Sequence, residues 1–154
     1  MYIGVVGGQF CTEEEERAAF ELGNLLARRG AVIVCGGLGG VMEAACKGAK
    51  EAGGTTIGIL PGPFRGDANP YVDHPIATDM GQARNAIIVR TSDAVVAVGG
   101  EYGTLSEIAM ALKMGKKVVA LSSWEIASKG MPDEKIVRAE SPRAAVEAVM
   151  GPGR

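Results

Sequence analysis

The chain has 154 residues with a formal net charge of −2, 47% hydrophobic and 22% charged, a length that suits one domain with its own core. Lys and Arg form no run longer than a pair, and no apolar stretch reaches the roughly 18–20 uncharged residues of a membrane span, which argues against nucleic acid and membrane as partners. Three cysteines (Cys11, Cys35, Cys46) without CxxC spacing and one histidine, His74, argue against a disulfide framework, a zinc site or any multi-histidine metal site.

The first element is an apolar strand at residues 2–6, which runs into Gly7-Gly8 and a helix pattern at 12–29. Glu13 to Glu16 are the acidic first turn of that helix, a solvated face rather than an acidic site, and Thr12 with Glu15 makes a capping-box pattern. A second strand at 31–35 leads into GGLGG, Gly36 to Gly40, and a helix at 41–52. The strand at 55–60 is followed by PGPFRGDANPYVDHP, residues 61–75, with four prolines. So long an irregular insert is usually functional or mobile, and it is expected to wall the pocket. His74, before Pro75, is a structural loop residue.

A helix at 81–91 buries Ile87, Ile88 and Thr91, which leaves Arg84 near its start, facing the carboxyl edge of the sheet. An arginine there clamps a phosphate or is merely exposed. Arg90, near the helix end, reads as a dipole or salt-bridge residue. The strand at 94–98 then enters a turn containing Gly99, Gly100 and Gly103, followed by a helix at 104–114 with Leu105, Ile108, Ala109 and Leu112 at helical spacing. Thr104 and Glu107 form T-x-x-E before an apolar run: either a capping box or two functional side chains, and the spacing leaves both open. A strand at 117–121, a weak strand at Lys135 to Arg138 and a helix from Pro142 to Met150, with Ser141 as N-cap, complete the chain.

Alternation of strands and helices predicts an α/β fold: one Rossmann-like domain over residues 1–154, a doubly wound parallel sheet with helices on both faces. Three strand–glycine–helix units then converge at the carboxyl ends of the strands, where such sheets bind ligands. Free N–H groups at the helix starts attract phosphate or carboxylate. The predicted ligand residues are Gly7, Gly8, Gly36, Gly37, Gly39, Gly40, Gly99, Gly100, Gly103 and Thr104.

With these residues in hand, roughly residues 1–122 resemble the Lonely Guy phosphoribohydrolases, long mis-described as lysine decarboxylases, and the related molybdenum cofactor carrier proteins. The family motif is PGGxGTxxE. Asp93-Ala94 matches its strand entry, Gly103-Thr104 its GT pair, Glu107 its glutamate, Arg84 the catalytic arginine upstream and Arg90 a second arginine, while GGLGGVMEAACKGAKEAGG resembles the second glycine loop and helix. Gly99 stands where the family has proline, Glu101 where it has the second glycine, and Gln82 and Asn85 replace the usual histidine and lysine beside Arg84. The RN pair and the GTLSE ending look closer to the bacterial branch grouped with molybdenum cofactor carriers.

The resemblance implies a nucleoside 5′-monophosphate phosphoribohydrolase that releases base and ribose 5-phosphate, with Arg84 and Glu107 catalytic and no metal or cofactor required. The alternative is a non-catalytic carrier of molybdenum cofactor in the same pocket. Either way the partner is a small, AMP-like phosphorylated ligand, and the resemblance implies a homodimer or homotetramer. Met110 and Met114 read either as apolar contacts between copies or, the commoner use, as core packing. Nothing identifies a pyridoxal phosphate site, so lysine decarboxylation is not expected. A carboxylate near a helix N-terminus is expected to be ionised at neutral pH. With no leader or anchor in the sequence, a cytoplasmic location is expected.

Overall fold

The computed structural model describes residues 1–153. Nine strands and five helices follow in the order β1 (Tyr2–Gly7), α1 (Glu13–Arg28), β2 (Val32–Cys35), α2 (Val41–Glu51), β3 (Thr55–Leu60), β4 (His74–Ala77), α3 (Asn85–Thr91), β5 (Ala94–Val98), α4 (Tyr102–Lys113), β6 (Lys117–Leu121), β7 (Ala127–Ser128), β8 (Met131–Pro132), β9 (Ile136–Ala139) and α5 (Pro142–Met150). Seven strands form one parallel sheet in the order β4-β3-β2-β1-β5-β6-β9, and β7 and β8 pair as a small antiparallel ribbon. This is the doubly wound α/β architecture predicted from the alternation of patterns.

Period-two alternation places successive strand residues on opposite faces. Ile3, Val5, Val96 and Val98 pack beneath α1, α2 and α5 with Leu22, Leu26, Ala45 and Val146. Val6, Val34, Val95 and Ala97 face α3 and α4, where Ile88, Val89, Ile108 and Ala111 cover them. Helices α1 and α2 cross almost backbone to backbone. A Cβ at Gly48 would lie 1.9 Å from the Phe20 carbonyl oxygen, and one at Gly23 would lie 2.0 Å from that of Ala45.

Three local differences from the sequence reading have physical causes. The region 81–91 is a 3-10 turn at Gly81–Arg84 that passes into α3 at Asn85. His74 and Pro75 open an edge strand, pairing with Ile57 and Gly58, which proline permits because an edge leaves its missing N–H unneeded. The segment 61–75 does not wall the cleft described below. Instead it braces the second glycine loop from behind: the Asn69 backbone N–H donates to the Gly37 carbonyl at 2.8 Å and its Nδ2 to the Leu38 carbonyl at 2.9 Å.

Candidate functional site

The strand order runs from β1 towards β2 on one side and towards β5 on the other, so loops leaving β1 and β5 part in opposite directions and open a crevice at the carboxyl edge. A cleft of about 220 Å³ lies there. Its walls are Val5 to Phe10 from β1 and the loop after it, Gly36, Leu38 and Met42 from the β2–α2 connection, Gln82, Arg84 and Asn85 from the turn before α3, and Glu101, Gly103, Thr104 and Glu107 from the start of α4.

Arg84 is 6% exposed, although it is charged. Its Nε donates to the Ile59 carbonyl at 2.8 Å and its Nη1 to Asn85 Oδ1. The guanidinium lies against Gly36, where a Cβ would sit 2.7 Å from Nη2. Burial lowers the Arg84 pKa from its ordinary value, and the charges of Glu107 and Cys35 pull it back up. A clamped guanidinium at the cleft wall is a preformed partner for an anion.

Glu107 is also 6% exposed. No sealed side-chain oxygen or nitrogen lacks a partner among the described residues, and no protein group donates to Glu107, so its carboxyl opens into the cleft. Burial pushes its pKa up to about 7, with Arg84 pulling it down. Glu107 thus titrates above the ordinary carboxylate range, in place of the lowering that a helix N-terminus would give. Glu107 stands on the second turn of α4, past the reach of the helix dipole, and desolvation wins. The ion pairs within 4 Å among the described residues are Lys50–Asp73 and Arg138–Glu125, so Arg84 and Glu107 stay apart in the cleft.

The capping-box alternative for Thr104 and Glu107 also falls. The helix begins at Tyr102, its N-cap is Glu101, and no side chain caps it. Thr104 and Glu107 lie three residues apart on one face, both buried with Ile108 and Ala111. Leu105 N–H makes the first bond of the helix, to Glu101 O at 3.0 Å. The N–H groups of Tyr102, Gly103 and Thr104 precede it, and Gly103 and Thr104 line the cleft.

The predicted glycines divide between wall and framework. Gly7, Gly8, Gly36 and Gly103 line the cleft, whereas Gly37, Gly39, Gly40, Gly99 and Gly100 do not. Gly40 packs against the first loop, where a Cβ would lie 2.3 Å from the carbonyl oxygens of Gly8 and Gln9. Gly99 and Gly100, at φ 53° and 101°, turn the chain so that Gly99 approaches Glu15 and Gly100 approaches Thr104. Gly99 N–H is engaged by the Leu121 carbonyl at 3.3 Å. Arg90 is exposed in the last turn of α3 and makes no ion pair among the described residues. The loops 7–11 and 36–41 read from the sequence as ligand-binding contain Gln9, Phe10 and Leu38, whereas Val5, Val6 and Met42 were missed as cleft residues. Gln9 and Phe10 carry a usable signal, since they directly follow Gly7-Gly8.

No group of three or more His, Cys, Asp or Glu suited to a metal ion occurs among the described residues, and no described helix is long and apolar enough to cross a membrane. The model of the SLOG cluster4 family matches residues 1–146. An uncharacterized protein of Archaeoglobus fulgidus is 55% identical over 121 residues, 79% of this chain and 80% of that one. The cytokinin riboside 5′-monophosphate phosphoribohydrolase of Mycobacterium tuberculosis is 34% identical over 116 residues, 69% of this chain and 62% of the enzyme. Among solved structures, the molybdenum cofactor binding protein of the phototrophic bacterium Rippkaea orientalis superposes with a TM-score of 0.86 at 39% identity, over 95% of this chain and 93% of that one.

Proposed function

The chain belongs to the SLOG cluster4 family, and from that premise we propose that its cleft binds a nucleoside 5′-monophosphate and hydrolyses it to base and ribose 5-phosphate. The observation that carries this reading is the convergence of Glu107 and Arg84, two buried charges from different elements, on one cleft at the switch point of the sheet. A structural pair would close on itself; these two face the same open space.

The phosphate belongs at the N-terminus of α4, on the N–H groups of Gly103 and Thr104, with Arg84 supplying the cation. At about 220 Å³ the cleft is smaller than the roughly 300–1,000 Å³ of typical ligand sites, which suits a sugar phosphate inside and a ring at the mouth near Phe10. In the reaction, a water oxygen bonds to C1′ as the C1′–N bond breaks, and the bonding pair leaves with the base, which takes up a proton from solvent. Ionised Glu107 takes a proton from the water, offsets positive charge growing on the sugar ring and afterwards releases to solvent the proton it has accepted. A carboxyl with a pKa of about 7 is matched to that exchange at neutral pH. These residues perform the chemistry without a metal or cofactor. The protein acts as a homodimer or homotetramer.

A second reading, a carrier that holds molybdenum cofactor in the same cleft without cleaving it, is favoured by the near full-length similarity to the Rippkaea orientalis protein. Calorimetry with AMP, adenosine and inorganic phosphate tests the site itself. AMP binding more tightly than adenosine, with phosphate as competitor, is the expected result; equal affinities for AMP and adenosine would remove the anion site. Chromatography of each nucleoside monophosphate after incubation then separates the two readings, since only the hydrolase releases base.

A further inference from the structure

Two of the three cysteines meet beneath the Gly36–Gly40 loop. Cys35 ends β2 and Cys46 lies midway along α2, both fully buried, with their Sγ atoms 3.5 Å apart. Both are free thiols. The chain between them is the second glycine loop and the first turns of α2, so the pair brackets the segment that carries Gly36 and Met42 to the cleft. Tyr71 and Val72, from the segment 61–75 that braces this loop, pack against Cys35, Met42 and Cys46.

The surroundings treat the two sulfurs unequally. Cys35 Sγ accepts the Gly37 backbone N–H at 3.3 Å, and the Arg84 guanidinium lies against the adjoining Gly36. The hydrogen bond with Cys46 outweighs burial and, with Gly37 N–H and Arg84, holds the Cys35 thiol below its ordinary range. The same hydrogen bond, with burial, pushes Cys46 up. The Gly37 N–H and the nearby guanidinium favour Cys35 as the attacking sulfur, and Cys46, 3.5 Å away, stands where it can resolve it.

We propose that Cys35 and Cys46 are a redox pair that a peroxide closes into an intrachain disulfide, disabling the glycine loop between them. Cys35 sulfur attacks one peroxide oxygen, the O–O bond breaks, and the departing hydroxide takes a proton, leaving a sulfenic acid. Cys46 sulfur then attacks that sulfur; the S–S bond forms, the S–O bond breaks and water leaves. Two thiols and one hydrogen peroxide become one disulfide and two waters, with two electrons passing from sulfur to peroxide. A disulfide holds its sulfurs about 2.05 Å apart, so closure draws the end of β2 and the middle of α2 together. Gly36, packed against Arg84, moves with them. The effect on ligand rests on the nucleotide reading above; the cross-link does not.

The test treats the whole protein with hydrogen peroxide, maps disulfides by mass spectrometry of a non-reduced digest, and measures AMP affinity before treatment, after it and after dithiothreitol. The expected result is a Cys35–Cys46 cross-linked peptide and an AMP affinity about tenfold weaker, restored by reductant. Cys46→Ser and Cys46→Ala remain uncross-linked and keep their affinity in peroxide. Cysteines that remain separately alkylated after treatment, or a cross-link that leaves affinity and amide exchange of residues 36–40 unchanged, would overturn the proposal. Should the reduced protein bind no AMP, the nucleotide reading fails alone, and the mapped peptide with its amide exchange decides the redox pair.

Discussion

Glu107 shows how one spacing supports two chemistries. T-x-x-E is the pattern of a capping box and equally the pattern of two side chains on one helix face, and what separates them is where the helix begins. It begins two residues before Thr104, at a backbone bent through Gly99 and Gly100, so neither side chain caps anything. The raised pKa of Glu107 has a thermodynamic consequence. Its folded value of about 7 exceeds the ordinary 4.5, so the folded state binds the proton more tightly, and stability falls as pH rises from about 4.5 to about 7 before levelling off. The shift corresponds to about 3 kcal/mol at most. Glu107→Gln should therefore flatten that fall, melting near wild type at pH 4.5 and higher than wild type at pH 8; parallel thermal melts check it. Arg84→Lys keeps the charge but loses the fork that reaches Ile59 and Asn85 together. AMP affinity by calorimetry should drop about tenfold or more, the scale of one charge-assisted hydrogen bond.

Among the elements, α1 and α2 depend on glycine where intrinsic propensity disfavours it. Gly48→Ala would gain about 1 kcal/mol of helix propensity, yet the new Cβ would meet the Phe20 carbonyl at 1.9 Å. A rigid backbone atom cannot swing aside, so overpacking of about 1–3 kcal/mol should win; a lower denaturant midpoint checks it. Helix α4 differs from its sequence reading in which face is buried. Thr104, Glu107, Ile108 and Ala111 are buried, the first two beside the cleft, while Ala109 is exposed and Leu105, Met110, Leu112 and Met114 are half-buried. The apolar pattern ran around most of the helix, so periodicity could not single out the inner face. Met110, Leu112 and Met114 pack against the core beneath α4, so under the homo-oligomer proposal Leu105 and Ala109 are the apolar groups left to meet a second copy. Light scattering should give at least a dimer mass, and Ala109→Glu should lower it towards the monomer. Strand β4 was hidden for a different reason: four residues including a proline, paired on one side only, carry little strand signal.

At the scale of the whole molecule, the parallel sheet was legible because the central strands are short apolar runs with glycine near at least one end, and right-handed crossovers leave few ways to order such strands. The position of the cleft followed from the same rule, since β1 and β5 flank the point where the order reverses. The contents of the cleft were only partly legible. Arg84 and Glu107 were identified from motif and resemblance, but Met42 and Phe10 are ordinary apolar residues whose place depends on how the loops close. The mutual bracing of the first two glycine loops, through Gly8 and Gly40, is likewise a property of the assembled fold. The claim that joins these scales is that two buried, separated charges at the switch point cleave a nucleoside monophosphate. Incubation with AMP, with adenine and ribose 5-phosphate followed by chromatography for wild type and Glu107→Gln side by side, tests it most directly. The account predicts equal amounts of the two products from wild type and a rate about 10²-fold lower or less in the variant, at nearly unchanged AMP affinity. Wild-type protein that binds AMP as tightly as the variant and releases no adenine would contradict it.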